Sequence, residues 1–187
     1  MTIRRQRVLP AARKIKDLET LLDFPFEYIV LLDTRIGELN ALVDLARKRN
    51  KHILLHSDLV EGLKNDEYAA DYLCRHVRPA GLISTRASVI QKAKQNGVTA
   101  IQRVFLIDSG ALEKSFVLLE RTKPDFIEVL PGILPDMIRE MHERTGIPIL
   151  AGGLIRSVED VEKALSAGAV AVTTSNKDLW RHYADFV

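Results

Sequence analysis

Apolar residues along the chain gather into eight short runs, each followed by a longer stretch with helical spacing. The runs at 8–10, 28–33, 52–56, 81–84, 99–106, 125–130, 147–151 and 169–174 are rich in Val, Ile and Leu and do not alternate cleanly with polar residues. Unbroken apolar runs of this length read as strands covered on both faces. Between them, at 12–22, 38–48, 66–77, 88–96, 111–122, 135–144 and 158–167, apolar side chains recur every three or four residues, as at Ile15, Leu18, Leu21 and Leu22. That spacing predicts helices with one face on a sheet, and an eighth helix starts near Asn176. The boundaries carry matching signals. Gly97, Gly146 and Gly168 each follow a helix, where a left-handed residue ends it. Pro79, Pro124 and Pro148 fall between helix and strand, and Asp108, Ser109 and Ser157 stand where N-caps are needed.

Eight strand–helix units predict an α/β fold, a compact (β/α)8 TIM barrel forming a single domain over residues 1–187. The barrel is lean beside the roughly 200 residues at the low end for this architecture. An open doubly wound sheet ranks second, because no glycine-rich fingerprint follows the first run.

Composition narrows the class. Apolar residues make up 47% and charged residues 28%, enough for a real core inside a solvated surface. Cys74 is the one cysteine, so no disulfide forms within the chain, and its neighbours Tyr72, Leu73 and Val77 point to a buried thiol. No apolar run reaches the ~20 residues of a membrane span, and no apolar stretch follows the N-terminal arginines as a signal peptide requires. A cytoplasmic protein with no membrane partner is expected.

Charge changes the picture more by its distribution than by its net value of +2. Arg4, Arg5, Arg7, Arg13, Lys14 and Lys16 precede the first acidic residue, Asp17. Arg47, Lys48, Arg49 and Lys51 cluster between the second helix and the third strand. On a barrel, helix-to-strand connections, and the segment entering the first strand, lie at the N-terminal ends of the strands. The basic positions are therefore expected on the face opposite the ligand-binding end. Cations at helix C-termini also complement the helix dipole, so this pattern alone does not specify a nucleic-acid surface.

The candidate chemistry lies where the strands stop. The segment AGGLIRSVEDVEKALSAGAVAVTTSN, residues 151–176, holds two strands ending in small-residue turns, Gly152-Gly153 and Thr173-Thr174-Ser175. Each turn feeds a helix, the arrangement that presents backbone N–H groups to an anion, and turns after the seventh and eighth strands form the usual phosphate cradle of this barrel. Arg103 and Glu128 are charges inside apolar strands at similar height and are expected to pair in the barrel mouth, with Arg103 also suited to an anionic ligand. Asp33, His56 and Asp58 are placed to flank a ligand hydroxyl or a divalent cation, the hydroxyl role weighing more. Ser84 and Thr85 end the fourth strand, and Arg86 is either a second anion contact or a surface residue. No metal-ligand spacing stands out and no cofactor is expected.

Taken together, RPAGLISTRASVIQKAK, AIQRVFLIDS, KPDFIEVLPG, IPILAGGLIRSVEDV and AGAVAVTTSNKDLW resemble the glycerol-uptake operon antiterminator regulatory proteins, and the resemblance runs from Leu9 to Trp180. It implies a cytoplasmic bacterial regulator, not an enzyme. Such a protein responds to glycerol 3-phosphate and binds leader messenger RNA of glycerol-utilisation genes, acting in transcription antitermination. On that implication, the phosphate sits on Gly152, Gly153, Thr174 and Ser175 with Arg103. The polar contacts come from Asp33, His56, Asp58, Ser84 and Glu128. Arg13, Lys14, Arg47, Lys48, Arg49 and Lys51 would meet RNA. A homodimer would enlarge the small footprint that a lean barrel offers. The competing reading is a phosphate-binding barrel enzyme, an isomerase or lyase acting on a phosphorylated triose or sugar, with Asp33, Asp58 and Glu128 as acid–base groups.

Overall fold

The computed structural model describes Ile3 and residues 6–186. Eight parallel strands close into a barrel: β1 Val8–Ala12, β2 Tyr28–Leu31, β3 His52–His56, β4 Gly81–Ser84, β5 Thr99–Phe105, β6 Phe126–Leu130, β7 Ile149–Gly152 and β8 Ala169–Thr174. Each pairs with its neighbours in the chain, and β1 meets β8 through Val8↔Val172, Leu9↔Thr173 and Pro10↔Thr174. Eight helices cover the outside: α1 Ile15–Leu22, α2 Leu39–Lys48, α3 Glu67–Tyr72, α4 Ala87–Gln95, α5 Ser109–Thr122, α6 Pro135–Thr145, α7 Val158–Ser166 and α8 Lys177–Ala184. The expected (β/α)8 barrel is the fold.

The absence of alternation in the strands has its cause in two apolar layers. Leu9, Tyr28, Val30, Leu54, Ile83, Ile101, Phe126 and Leu150 fill the lumen. Their strand neighbours, such as Val8, Ile29, Leu55, Leu82, Ile127 and Ile149, pack against the helices. Ile3, fully buried, joins the lumen cluster. Gln6 locks β1 to β2: its Nε2 donates to the carbonyls of Val8 and Tyr28, and its Oε1 accepts from the N–H groups of Glu27 and Tyr28.

Helix starts follow the sequence signals. Asp66, Asp108, Ser157 and Asn176 each accept a backbone N–H of the first helical turn. Ser109 is the first residue of α5 and not its cap. Two features escape the apolar pattern. Thr34–Arg35 and Val60–Glu61 pair as a two-residue ribbon after β2 and β3, too short to show a period. After Tyr72 the chain winds into a π turn, Leu73–Val77, ended by Arg78 at a φ of 55°.

One boundary matters for function. β1 continues through Ala12, and α1 begins at Ile15. Arg13 and Lys14 therefore follow β1 and stand at the C-terminal mouth, not on the opposite face where the sequence reading put them. The alanines at 11 and 12 are good helix formers, yet both are buried in the barrel wall, where tertiary packing outweighs propensity. Arg4 and Arg5 lie outside the described residues.

Candidate functional site

The turns after β7 and β8 lie side by side, because Thr173 is in register with Gly152. Beside them a cavity of about 360 Å3 opens at the mouth, lined by Gly153, Thr174, Ser175, Arg13, Asp33 and Arg103, with Leu59, Leu154 and Ile155 as apolar walls. Glu128 and Thr173 also line it. A buried carboxylate at this point would repel an anion were it not neutralised. Arg103 Nε donates to Glu128 Oε2 at 2.7 Å, and Thr173 Oγ1 donates to Oε1 at 2.7 Å. Both carboxylate oxygens are thus occupied, and the pair forms where Arg103 and Glu128 are in register on β5 and β6. The expected ion pair is present, with the Glu128 side chain 1% exposed and that of Arg103 12%. Among the described residues, the two terminal nitrogens of Arg103 have no protein partner. They face a cavity with a second guanidinium, that of Arg13, which is exposed and has no carboxylate partner among the described residues.

Glycines let the backbone close in around this floor. A Cβ on Gly152 would stand 2.5 Å from Thr173 Oγ1 and 3.0 Å from Glu128 Oε1, so this position borders the ion pair from the lumen side. Gly132 carries the tighter constraint: a Cβ there would stand 2.6 Å from the backbone nitrogen of Gly152. Its N–H donates to the carbonyl of Gly152. Gly132→Ala is expected to displace the 152–153 turn and to cost about 1–3 kcal/mol of stability. Urea denaturation monitored by circular dichroism checks this; an unchanged midpoint would mean the turn moves aside freely.

Asp33 lines the cavity; His56, Asp58 and Ser84 do not. Asp58 accepts from the Ser84 hydroxyl and from both the N–H and the hydroxyl of Thr85. Burial alone would raise its carboxyl, but these bonds more than offset that and hold it below the usual carboxylate range. Asp58 thereby fixes the turn after β4, which accounts for the hydroxyl pair at 84–85. Arg86 follows that turn as an exposed residue outside the cavity lining. His56 points into the lumen in register with Ile83, 3% exposed, and neither ring nitrogen has a protein partner. Burial first, then the charge of Arg103, pulls its pKa down to about 4, so it is neutral at physiological pH. Among the described residues no group of three or more His, Cys, Asp or Glu side chains is placed to hold a metal ion.

The helix N-termini behind the cradle are self-capped. Asp160 accepts from the N–H groups of Arg156 and Ser157 at the start of α7. Asn176 does the same for Asp178 at the start of α8. An anion here therefore relies on the turns themselves and the two arginines more than on the helix ends.

The other basic positions lie on the opposite face. Arg47 is paired with Asp44 and donates to the carbonyl of Arg78, Arg49 is paired with Asp23, and Lys51 donates to the carbonyl of Phe24. Lys48 is exposed. Three of the four thus hold intramolecular partners, and Arg47, Lys51, His52 and Arg78 line a shallow recess there.

Sequence reasoning missed Arg13, Leu59 and Leu154 as cavity residues. The signal for Arg13 was available: whether the first strand ends at residue 10 or at Ala12, Arg13 follows it and so belongs to the mouth. The apolar walls carry no chemical signature of their own.

The chain matches the family model for the glycerol-3-phosphate responsive antiterminator over residues 8–180. It belongs to that family. A glycerol uptake operon antiterminator regulatory protein from Listeria monocytogenes superposes with a TM-score of 0.93 at 49% identity, covering 94% of this chain and 95% of that one. A glycerol uptake operon antiterminator-related protein from Thermotoga maritima superposes with a TM-score of 0.83 at 26% identity, over 94% of this chain and 98% of that one. The uncharacterized protein YgcP of Escherichia coli is 31% identical over 178 residues, 95% of this chain and 93% of that protein. For an antiterminator of this family, the cavity at the mouth and the basic recess at the far end are the two places to examine for ligand and nucleic acid. No helix among the described residues is long and apolar enough to cross a membrane.

Proposed function

We propose that this antiterminator family member is a cytoplasmic sensor that binds glycerol 3-phosphate in the mouth cavity and, so loaded, binds leader mRNA of glycerol-utilisation genes. The observation that carries the ligand half is the cavity itself: two small-residue turns and two guanidiniums beside an exposed carboxylate. The phosphate dianion sits against Gly153, Thr174 and Ser175 with Arg103 and Arg13, while Gly152 bounds the turn from within. The ligand hydroxyls meet Asp33, while His56 lies in the lumen outside the cavity lining. Asp58, Ser84 and Glu128 act behind these contacts, holding the turn and Arg103 in place. RNA phosphates meet Arg47, Lys48, Arg49 and Lys51 on the opposite face. Arg13 and Lys14, at the mouth, serve the ligand end instead.

A binding role fits the cavity better than catalysis. No lysine lines it among the described residues, and Glu128, its most buried carboxylate, has both oxygens engaged. The family description names the effector, and the printed name of the Listeria relative places that protein in a glycerol uptake operon.

The test is a titration of leader RNA in a filter-binding assay with and without glycerol 3-phosphate, with product analysis of the ligand afterwards. Tighter RNA binding with the ligand and no turnover is the expected result. A logarithmic dependence on salt counts the phosphate contacts. Equal RNA affinity in both conditions would remove the sensor role, and conversion of the ligand would restore the enzyme reading.

A further inference from the structure

The exposed apolar side chains are distributed unevenly over the molecule. Among the described residues, ten of the thirteen large hydrophobics that remain exposed lie at the C-terminal ends of the strands or in the first turns of the helices that follow. The heaviest part is a crescent over three neighbouring loops. Ile107 is 84% exposed, Leu154 54% and Phe105 46%, with Ile133 and Leu134 between them. The loops are held side by side: Leu106 N–H donates to the carbonyl of Leu130, and Gly132 N–H to that of Gly152. Across the cavity, Leu59 continues the rim. Contiguous apolar surface of this kind on a monomer marks an interaction site. Glycerol 3-phosphate does not account for it, since Phe105, Ile107, Ile133 and Leu134 stand outside the cavity lining.

We infer that a second copy of this chain covers the rim, in a two-fold, mouth-to-mouth dimer that seals the ligand cavity. The charges on the same face select this occupant. Arg86 and Arg156 are exposed cations, and Asp33 and Asp108 exposed carboxylates, and none of the four has an ion-pair partner among the described residues. A patch with unpaired charges of both signs is suited to meet itself, because in a two-fold contact every cation–carboxylate pair formed across the interface is formed twice. The rim then acts as an apolar gasket around the polar cavity and shuts it off from water. Leu59 and Leu154 belong both to the rim and to the cavity wall, so a partner seated there closes the route by which a ligand leaves. Ligand binding and dimerisation must then raise each other's affinity by the same factor. That linkage rests on the proposed function; the interface does not.

Sedimentation equilibrium across protein concentrations, with and without glycerol 3-phosphate, tests the inference. The wild-type chain is expected to sediment at twice its 21.0 kDa mass, and to do so at lower concentration when the ligand is present. Ile107→Asp with Ile133→Asp is expected to weaken the dimer at least about tenfold. Both positions are exposed, and circular dichroism and thermal melting of the variant report whether the monomer fold is intact. A wild-type chain that stays monomeric in both conditions overturns the inference, as does a dimer that the folded double variant leaves unaltered. Loss of RNA binding in the double variant with no change in mass would assign the rim to RNA instead. If the dimer forms and the variant breaks it, but glycerol 3-phosphate has no effect on either, the interface stands and the ligand assignment fails.

Discussion

Arg103→Met is expected to destabilise the barrel by about 3–5 kcal/mol, because it strands the Glu128 carboxylate in the lumen without its partner. Glu128 is 1% exposed, so little solvent reaches the carboxylate to take over from the lost guanidinium. Chemical denaturation measures the loss directly. The companion variant, Arg103→Met with Glu128→Leu, removes both charges and is expected to recover most of that stability, since apolar replacement of a buried ion pair is often neutral or favourable. The two variants together separate architecture from binding. If the double variant refolds stably and still binds glycerol 3-phosphate with wild-type affinity, Arg103 serves the barrel alone. If the single variant melts within about 1 kcal/mol of wild type, Glu128 is not the isolated charge its surroundings indicate.

The second large effect is acid sensitivity through His56. In the unfolded chain its imidazole takes a proton near its ordinary value of 6.5, whereas in the folded protein burial and Arg103 hold it down to about 4. Between those values the unfolded state binds more protons than the folded state, so stability falls as the pH drops and rises as it climbs back. Over the full interval the loss is about 3 kcal/mol. Above pH 6.5 both states are neutral at this group and it contributes no slope. His56→Leu deletes the titration, so the gap between variant and wild type is expected to widen in the variant's favour as the pH falls from 6.5 to 4. Urea midpoints at intervals across that range check it; parallel curves would show that His56 finds a proton partner in the folded state.

Much of this molecule can be read from its apolar pattern, and the exceptions have physical causes. The strand at 52–56 and the one at 81–84 are bounded by polar or turn residues on both sides, and the structure reproduces them to the residue. β1 is different, because Ala11 and Ala12 look alike whether they face a barrel wall or begin a helix; Arg13 and Lys14 follow the first strand on either reading, and grouping them with the arginines that precede it put them at the wrong end of the barrel. The Arg103–Glu128 pair was legible because a charge in an apolar strand must find an opposite one nearby. Asp58 was not legible as a turn-holding group: His-x-Asp after a strand says nothing about Ser84 and Thr85, which come from a different loop. Nor does the sequence show that Arg47, Arg49 and Lys51 reach acceptors in other segments, since those contacts depend on how α2 lies beside its neighbours.

Strand order in this barrel is chain order, so seven of its eight pairings join successive units and only the contact of β1 with β8 spans the molecule. That seam runs over three register pairs, from Val8↔Val172 to Pro10↔Thr174. The staves of the cask are thus brought full circle directly beneath the cavity. Arg13 leaves β1 on one side of the join and Ser175 leaves β8 on the other. An anion gripped by both would stitch the first stave to the last.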